Sequence, residues 1–306
     1  MCENGTEHTH PHAHGHTHGH HPEALQHRAQ PDEFRVVITG KGGVGKTSLA
    51  ALLARLLARD GLRVLALDAD PQMNLPFALG LPLDQARQLT PLSRNPDYVE
   101  EKTGARPGTG WGLFFRLNPD VDDVVKRFGV TTADGVRLLV MGDTVQPAAG
   151  CLCPENSLLA AVANAISLRR GEAIVLDTQA GVEHFGRALA QGFRHAVVVS
   201  DPTFNGLQVA LQSGRLAAEL GIPGRHLVVN RVRDERDRTR VRDILAAETE
   251  LPFGTQQFLP WDERLLDSEP DVGPLLECAD SPLLPQVRNL RDLLLREEME
   301  QWRHAS

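Results

Sequence analysis

The sequence predicts an α/β fold: a single domain with a mostly parallel central sheet and helices on both faces. Three observations carry that prediction. Short apolar runs alternate with segments whose apolar residues fall at helical spacing, and this alternation builds a parallel sheet covered on both sides. A glycine-rich stretch ending in Gly-Lys-Thr sits between the first apolar run and the first helical segment. No linker and no repeat interrupts residues 34–300, so one large domain fits as well as the two that about 150 residues per domain would allow.

Taken in order, residues 34–39 (FRVVIT) predict a buried strand. Residues 46–59 predict a helix through Leu49, Leu52, Leu53, Leu56 and Leu57, stopped by Gly61. A second strand is expected over 62–68. Residues 81–135 mix Pro, Gly and charge and are expected to be irregular, with weak helices at 82–89 and 121–128. Then follow strand 136–141, helix 155–169, strand 173–177, strand 196–200, helix 204–219 and strand 226–230. A helix at 236–247, a strand at 254–259 and helices at 261–268 and 283–302 complete the expected order.

Ahead of the domain, expected over 32–306, residues 1–31 carry nine of the 13 histidines and almost no apolar side chains. Such a segment cannot offset the entropy of ordering and predicts a disordered tail. His8, His10, His12, His14, His16, His18, His20 and His21 are interrupted by Thr, Pro, Ala and Gly. Their imidazoles are mostly unprotonated at neutral pH and suit a loose store of Ni²⁺, Zn²⁺ or Co²⁺. A purification tag or an inert solubilising tail is the plainer alternative, although a tag is normally an unbroken block.

Composition narrows the function. Lys+Arg number 32 against 40 Asp+Glu, a net charge of −8, and aromatics make up 5%. That balance argues against a nucleic-acid surface and against a base-stacking platform. Four cysteines in 306 residues form no disulfide framework and fit a reducing compartment. No apolar run approaches the roughly 18 residues of a membrane span, and the first residues lack a secretory apolar core. A cytoplasmic protein with neither nucleic-acid nor membrane partners is expected.

Gly40-Lys41-Gly42-Gly43-Val44-Gly45-Lys46-Thr47 matches G-x-x-x-x-G-K-[ST] in the strand–loop–helix context that the motif requires. Glycines let the backbone curl so that N–H groups converge on a phosphate, and the helix behind adds its positive end. Lys46 is expected at the β- and γ-phosphates, Thr47 at Mg²⁺ and Ser48 at the α-phosphate. Gly42, Gly43, Val44 and Gly45 form the cradle. The domain is thus expected to be a P-loop NTPase.

Lys41 is a second lysine inside the loop. With it, the stretch resembles the deviant Walker family, which includes the nitrogenase iron protein and the MinD, ParA and Mrp ATPases. The resemblance implies that Lys41 reaches across a symmetric ATP-bound dimer to the other subunit's nucleotide; a solvated surface lysine is the alternative. In Asp68-Ala69-Asp70-Pro71, it places Asp70 near the attacking water, and Asp68 at Mg²⁺ or in support of the loop. Ile174-Val175-Leu176-Asp177 is an apolar strand ending in a carboxylate, the pattern that supplies an outer-shell Mg²⁺ partner. Asp177-Thr178-Gln179-Ala180-Gly181 resembles the family's second switch, with the Gly181 N–H facing the γ-phosphate. Asn230, ending a strand, matches the family's adenine-contacting Asn, and Leu259-Pro260-Trp261-Asp262 its base-closing loop. No guanine-reading N-K-x-D follows, since positions 231 and 233 are Arg. The nucleotide pair is therefore read as ATP and ADP.

Cys151-Leu152-Cys153-Pro154 places two thiols two residues apart, on one side of an extended segment. Pro154 suits a first helical position, so Cys153 is expected at a helix N-terminus, which favours thiolate. Two sulfurs per chain are half of a closed metal site, and a two-fold dimer would supply four. Buried structural thiols or a redox pair are the alternatives. Cys2 and Cys278 are isolated.

Together, the lysine-rich loop, Asp-Ala-Asp-Pro, Gly150–Asn156 (GCLCPEN) and Asp177–Arg187 (DTQAGVEHFGR) resemble the CooC-type ATPases that mature carbon monoxide dehydrogenase, over roughly residues 34–270. The resemblance implies Ni²⁺ binding at Cys151 and Cys153, nucleotide-dependent dimerisation, and delivery to carbon monoxide dehydrogenase or another nickel enzyme. Zn²⁺ at the same thiolates is equally open on ligand chemistry. Glu183, His184 and Arg187 could couple the switch to the dimer interface or form a solvated helix face. Two further readings stand beside this one. A MinD/ParA-type positioning ATPase would want a basic patch or an amphipathic anchor. An Mrp-like iron–sulfur carrier would want a C-x-x-C near the C-terminus.

Overall fold

The computed structural model describes residues 33–106, 123–142, 158, 161–162, 171–179 and 192–305. The chain runs from β1 (Glu33–Gly40) through the glycine-rich loop into α1 (Lys46–Arg59) and returns as β2 (Arg63–Ala69). The short helices α2 (Leu75–Ala78), α3 (Leu83–Gln88), α4 (Pro96–Thr103) and α5 (Val124–Phe128) lead to the strands β3 (Val130–Thr131), β4 (Arg137–Val140) and β5 (Glu172–Thr178). The last part is β6 (His195–Ser200), α6 (Phe204–Glu219), β7 (Gly224–Val232), α7 (Glu235–Ala246), β8 (Thr255–Pro260), α8 (Glu263–Asp267) and α9 (Leu283–Ala305).

Eight strands form one sheet in the order β3-β4-β2-β5-β1-β6-β7-β8, and every neighbouring pair is parallel except β3 with β4. Parallel strands covered on both faces must be apolar along their whole length. Val36, Val37 and Ile38 of β1, Ala173 to Leu176 of β5 and Ala196 to Val199 of β6 are accordingly all fully buried.

Side chains alternate between the faces along each strand. Val36, Ile38 and Val175 meet Leu49, Leu52, Leu53 and Leu56 of α1 together with Val287, Leu290 and Leu294 of α9 on one side. Val37, Leu65 and Leu176 pack on the other side with Tyr98 and Val99 of α4. Leu207 and Leu211 of α6 and Val241 of α7 cover β6 and β7 there. Each fully buried leucine contributes roughly 1.5–3 kcal/mol, so α1, and with it the end of the loop, is fixed firmly to the sheet.

The predicted single parallel domain is the observed one, and each expected strand lies within two residues of its observed bounds. Two elements break the irregular stretch expected over 81–135. In α4, the Asn95 side chain accepts from the Tyr98 N–H at 3.2 Å and Pro96 opens the helix; buried Tyr98, Val99 and Thr103 then fasten it. β3 has only two residues and forms the antiparallel edge. The helix expected at 121–128 is seen as Val124–Phe128. Of the one expected over 155–169, the described residues Leu158, Ala161 and Val162 are helical, and Leu158 and Val162 are buried in the second cluster. Among the described residues, no helix is long and apolar enough to cross a membrane.

Candidate nucleotide site

The loop between β1 and α1 sits at the carboxyl ends of the strands, where ligands bind in open α/β sheets. Gly43 and Gly45 adopt the left-handed region, at φ 75° and 94°. A Cβ on Gly45 would lie 2.6 Å from the Asn230 Nδ2. α1 begins at Lys46 with no side-chain cap and no acid in its first turn. Its leading N–H groups therefore have no intrahelical partner and keep the positive end of the helix open to an anion. Lys46 Nζ donates to the Lys41 carbonyl oxygen at 3.1 Å, a contact that a phosphate oxygen can replace. Burial lowers the Lys46 pKa, opposed by Asp177 and Asp70.

The order β2-β5-β1 brings two further strand ends beside the loop. Asp177 on β5 is in register with Ile38 on one side and Asp68 on the other. Thr47 Oγ1 donates to Asp177 Oδ2 at 2.6 Å, while Asp177 Oδ1 is buried with no hydrogen-bond partner. Burial raises the Asp177 carboxyl to about 7 against the opposing pull of the Thr47 bond and Lys46, and Asp70 adds to the rise. An orphaned carboxylate oxygen beside a threonine hydroxyl fits a hydrated Mg²⁺, whose water and charge would satisfy it.

Asp68 is fully buried and serves the chain itself. Its Oδ1 accepts from the Asp70 N–H at 3.0 Å and its Oδ2 from the Leu75 N–H at 3.1 Å. These bonds tie down the segment that follows β2. Burial, followed by repulsion from Asp177, holds its carboxyl well above the usual range. Asp70, pinned at its backbone by Asp68, accepts from the Gln72 N–H at 2.9 Å and faces the cleft.

The cleft has a volume of about 610 Å³ and includes Gly42, Thr47, Ser48 and Asp70 in its walls. The cleft is also lined by Phe77, Arg231 and Glu269, to which the sequence assigned no binding role. Arg231 takes a left-handed backbone, φ 62°, where the β7–β8 register shifts between Val229 and Val232. The Asn-Arg dipeptide at a strand end gave no sign of that bulge. Glu269 and Val272 are held near the loop because Val272 N–H donates to Ala78 O at 3.2 Å and Asp271 pairs with buried Arg55 of α1 at 2.8 Å.

Asn230 lies under the loop. Its Nδ2 donates to Val44 O at 2.9 Å and its Oδ1 accepts from the Arg231 N–H at 2.8 Å. Pro260 ends β8, opposite Val232, and is not among the residues walling the cleft. Trp261 follows it with its ring under the Arg233 guanidinium, 5.0 Å away. Cys151, Cys153, Gly181, Glu183, His184, Arg187 and the histidines His8 to His21 lie outside the described residues.

Comparisons with known proteins agree with this architecture. The CbiA family, described as the CobQ/CobB/MinD/ParA nucleotide binding domain, matches residues 36–271. The carbon monoxide dehydrogenase accessory protein CooC of Rhodospirillum rubrum is 42% identical over 188 residues, covering 61% of this chain and 70% of that protein. An ATP-binding protein of Methanocaldococcus jannaschii is 39% identical over 235 residues, 77% of this chain and 88% of its own. Among solved structures, the MinC:MinD cell division complex of Aquifex aeolicus shares the fold, with a TM-score of 0.62 at 22% identity over 86% of this chain and 95% of that one. The MinD of Pyrococcus horikoshii, solved with Mg-ADP, gives a TM-score of 0.59 at 19% identity over 86% of this chain and 96% of its own.

Proposed function

The chain belongs to the CobQ/CobB/MinD/ParA nucleotide-binding family and is an ATPase related to CooC; on that premise we propose that it handles nickel for carbon monoxide dehydrogenase or another nickel enzyme, and couples ATP hydrolysis to binding and release of the ion. One observation supports the reading above others. The likeness to a carbon monoxide dehydrogenase accessory protein, 42% over 188 residues, occurs in a chain that also carries the Cys151-x-Cys153 pair.

In this reading two copies close around two ATP molecules. Lys46, Thr47 and Ser48 hold the phosphates within the backbone of Gly42, Gly43, Val44 and Gly45, with Asn230 and Pro260 at the adenine. Thr47 and Asp177 would hold Mg²⁺, which would supply positive charge beside the phosphates. Lys41 reaches the partner's nucleotide. Asp70 positions a water whose oxygen bonds to the γ-phosphorus as the bond to the β–γ bridging oxygen breaks, giving ADP and phosphate. Gly181 then loses its γ-phosphate contact and the dimer relaxes.

The four thiolates of Cys151 and Cys153 from both copies hold one Ni²⁺ in the closed state, and relaxation frees it. Such coupling requires that metal and ATP favour the same state of the dimer. Zn²⁺ at the same thiolates is the competing cargo, and the histidines His8 to His21 act as a reservoir. A nickel-free carbon monoxide dehydrogenase, incubated with the nickel-loaded protein and ATP, tests the reading. It should regain CO oxidation with ATP and not with a non-hydrolysable analogue. Equal recovery with both, or with zinc-loaded protein, overturns it.

A further inference from the structure

At the end of the sheet away from the nucleotide loop, a second group of chemically capable side chains is buried under α9. His195 opens β6 and His226 lies near the start of β7; both are buried, and Glu297 and Glu298 reach them from α9. His195 Nδ1 and His226 Nε2 face each other at 3.1 Å. Glu297 Oε2 is 3.6 Å from that His226 nitrogen and 4.0 Å from that His195 nitrogen. All three atoms lie within 4.8 Å of one another.

We propose that His195 Nδ1, His226 Nε2 and Glu297 Oε2 form a binding site for one zinc-class divalent cation. For bonds of about 2.0–2.1 Å, the edge of a tetrahedron is about 3.3 Å. The observed separations of 3.1, 3.6 and 4.0 Å bracket that edge. Two nitrogens and one carboxylate oxygen, with a fourth position for water, is a ligand set that zinc accepts.

The outer partners are also in place. A histidine that binds a metal through one nitrogen normally donates the other N–H to an oxygen. His195 Nε2 lies 3.1 Å from Glu298 Oε2, and His226 Nδ1 lies 2.8 Å from Thr255 Oγ1. When each ring donates its outer N–H to these oxygens, the two facing nitrogens present lone pairs to a cation. Glu298 is in turn 3.3 Å from Arg194 Nε, which offsets its charge, so Glu297 is the carboxylate whose charge faces the cation. Without the ion, one proton shared between the facing nitrogens holds the same arrangement. It leaves Glu297 Oε2 beyond hydrogen-bond distance of both, so a hydrogen-bond relay does not account for the third group.

Gly224 adds an independent observation. It pairs with His195 across β6 and β7. A Cβ on it would stand 2.5 Å from His195 Nδ1 and 3.1 Å from His226 Nε2. No positive φ demands glycine at this position; its absent side chain leaves clear both the two nitrogens and the Arg194 carbonyl oxygen, 3.0 Å from that Cβ. The cation would clip α9 to the amino ends of β6 and β7.

The test uses the full chain with Cys151→Ser and Cys153→Ser, so that those thiols contribute nothing, and compares it with the same chain also carrying Glu297→Gln or His226→Asn. The tail is identical in all three, so differences report this site. Zn²⁺ should raise the melting temperature of the first protein, as an ion that binds only the native state must. Titrated Co²⁺ should give the visible absorption of a four-coordinate ion. Each added substitution should weaken binding by at least about 10–100-fold and remove both signals, while ATP binding shows that the fold is intact. Glu297→Gln is nearly isosteric on a half-buried helix side and keeps the test open if His226→Asn does not fold. Unchanged signals in Glu297→Gln, or no zinc-dependent stabilisation in the first protein, overturn the site.

Discussion

Thr47 and Asp177, 130 positions apart, are joined by a 2.6 Å hydrogen bond from the threonine hydroxyl to the carboxylate. The bond locks the first turn of α1 to the end of β5 and leaves the other carboxylate oxygen buried without a partner. That buried oxygen is one that a hydrated cation at Thr47 would satisfy.

The charge on Asp177 should make the metal-free protein less stable as the pH rises. Its folded pKa of about 7 lies above the ordinary carboxylate value of 3.8. A raised folded pKa gives a stabilising contribution that is complete below about 4 and lost as the pH climbs through 7. In chelator-treated protein, Asp177→Asn should therefore gain up to about 4 kcal/mol over the parent at pH 8 and little at pH 4. Melting curves across that range measure it. Magnesium-dependent turnover of the variant should fall by about 10²-fold or more.

Asp68→Ala removes the acceptor for two backbone N–H groups, those of Asp70 and Leu75. Unsatisfied groups of this kind cost about 1–3 kcal/mol each. The variant should lose stability on that scale in urea, and its turnover should drop more than its nucleotide affinity because Asp70 is no longer held. Asp68→Asn, which keeps one acceptor, should fall between the two.

Gly45→Ala forces a side chain into a left-handed residue and against the Asn230 amide. A strained backbone position of this type costs on the order of 1–3 kcal/mol. Fluorescent-nucleotide titration should show at least a tenfold loss of affinity, with the Val44–Asn230 bond disrupted.

The two loop lysines should separate. Lys46→Ala should lose nucleotide binding outright. Lys41→Ala should keep its nucleotide affinity within about threefold while turnover falls by about 10²–10³-fold, the scale for one transition-state donor. Equal effects on binding would place Lys41 with the cradle and not across an interface.

The nucleotide site was legible in the sequence because its parts are local. The loop spans eight consecutive residues between a strand and a helix, and each carboxylate ends an apolar run. Three things were not legible. α4 is held by its Asn95 cap and by Tyr98 packing on a distant strand rather than by a helical apolar stripe. Arg231 enters the cleft through a bulge that no residue type marks. His195, His226 and Glu297 show no ligand spacing in the chain; only the pairing of β6 with β7 and the docking of α9 bring them together.

In the proposed function, a sulfur pair shared between two copies carries nickel in the ATP-bound state. Equilibrium nickel binding by the full chain, with and without a non-hydrolysable ATP analogue, set against the same chain carrying Cys151→Ser and Cys153→Ser, tests it most directly. One additional nickel per two chains should bind, requiring both the nucleotide and the two cysteines and appearing together with the dimer. An identical nickel stoichiometry in the serine variant, with nucleotide bound, would contradict it.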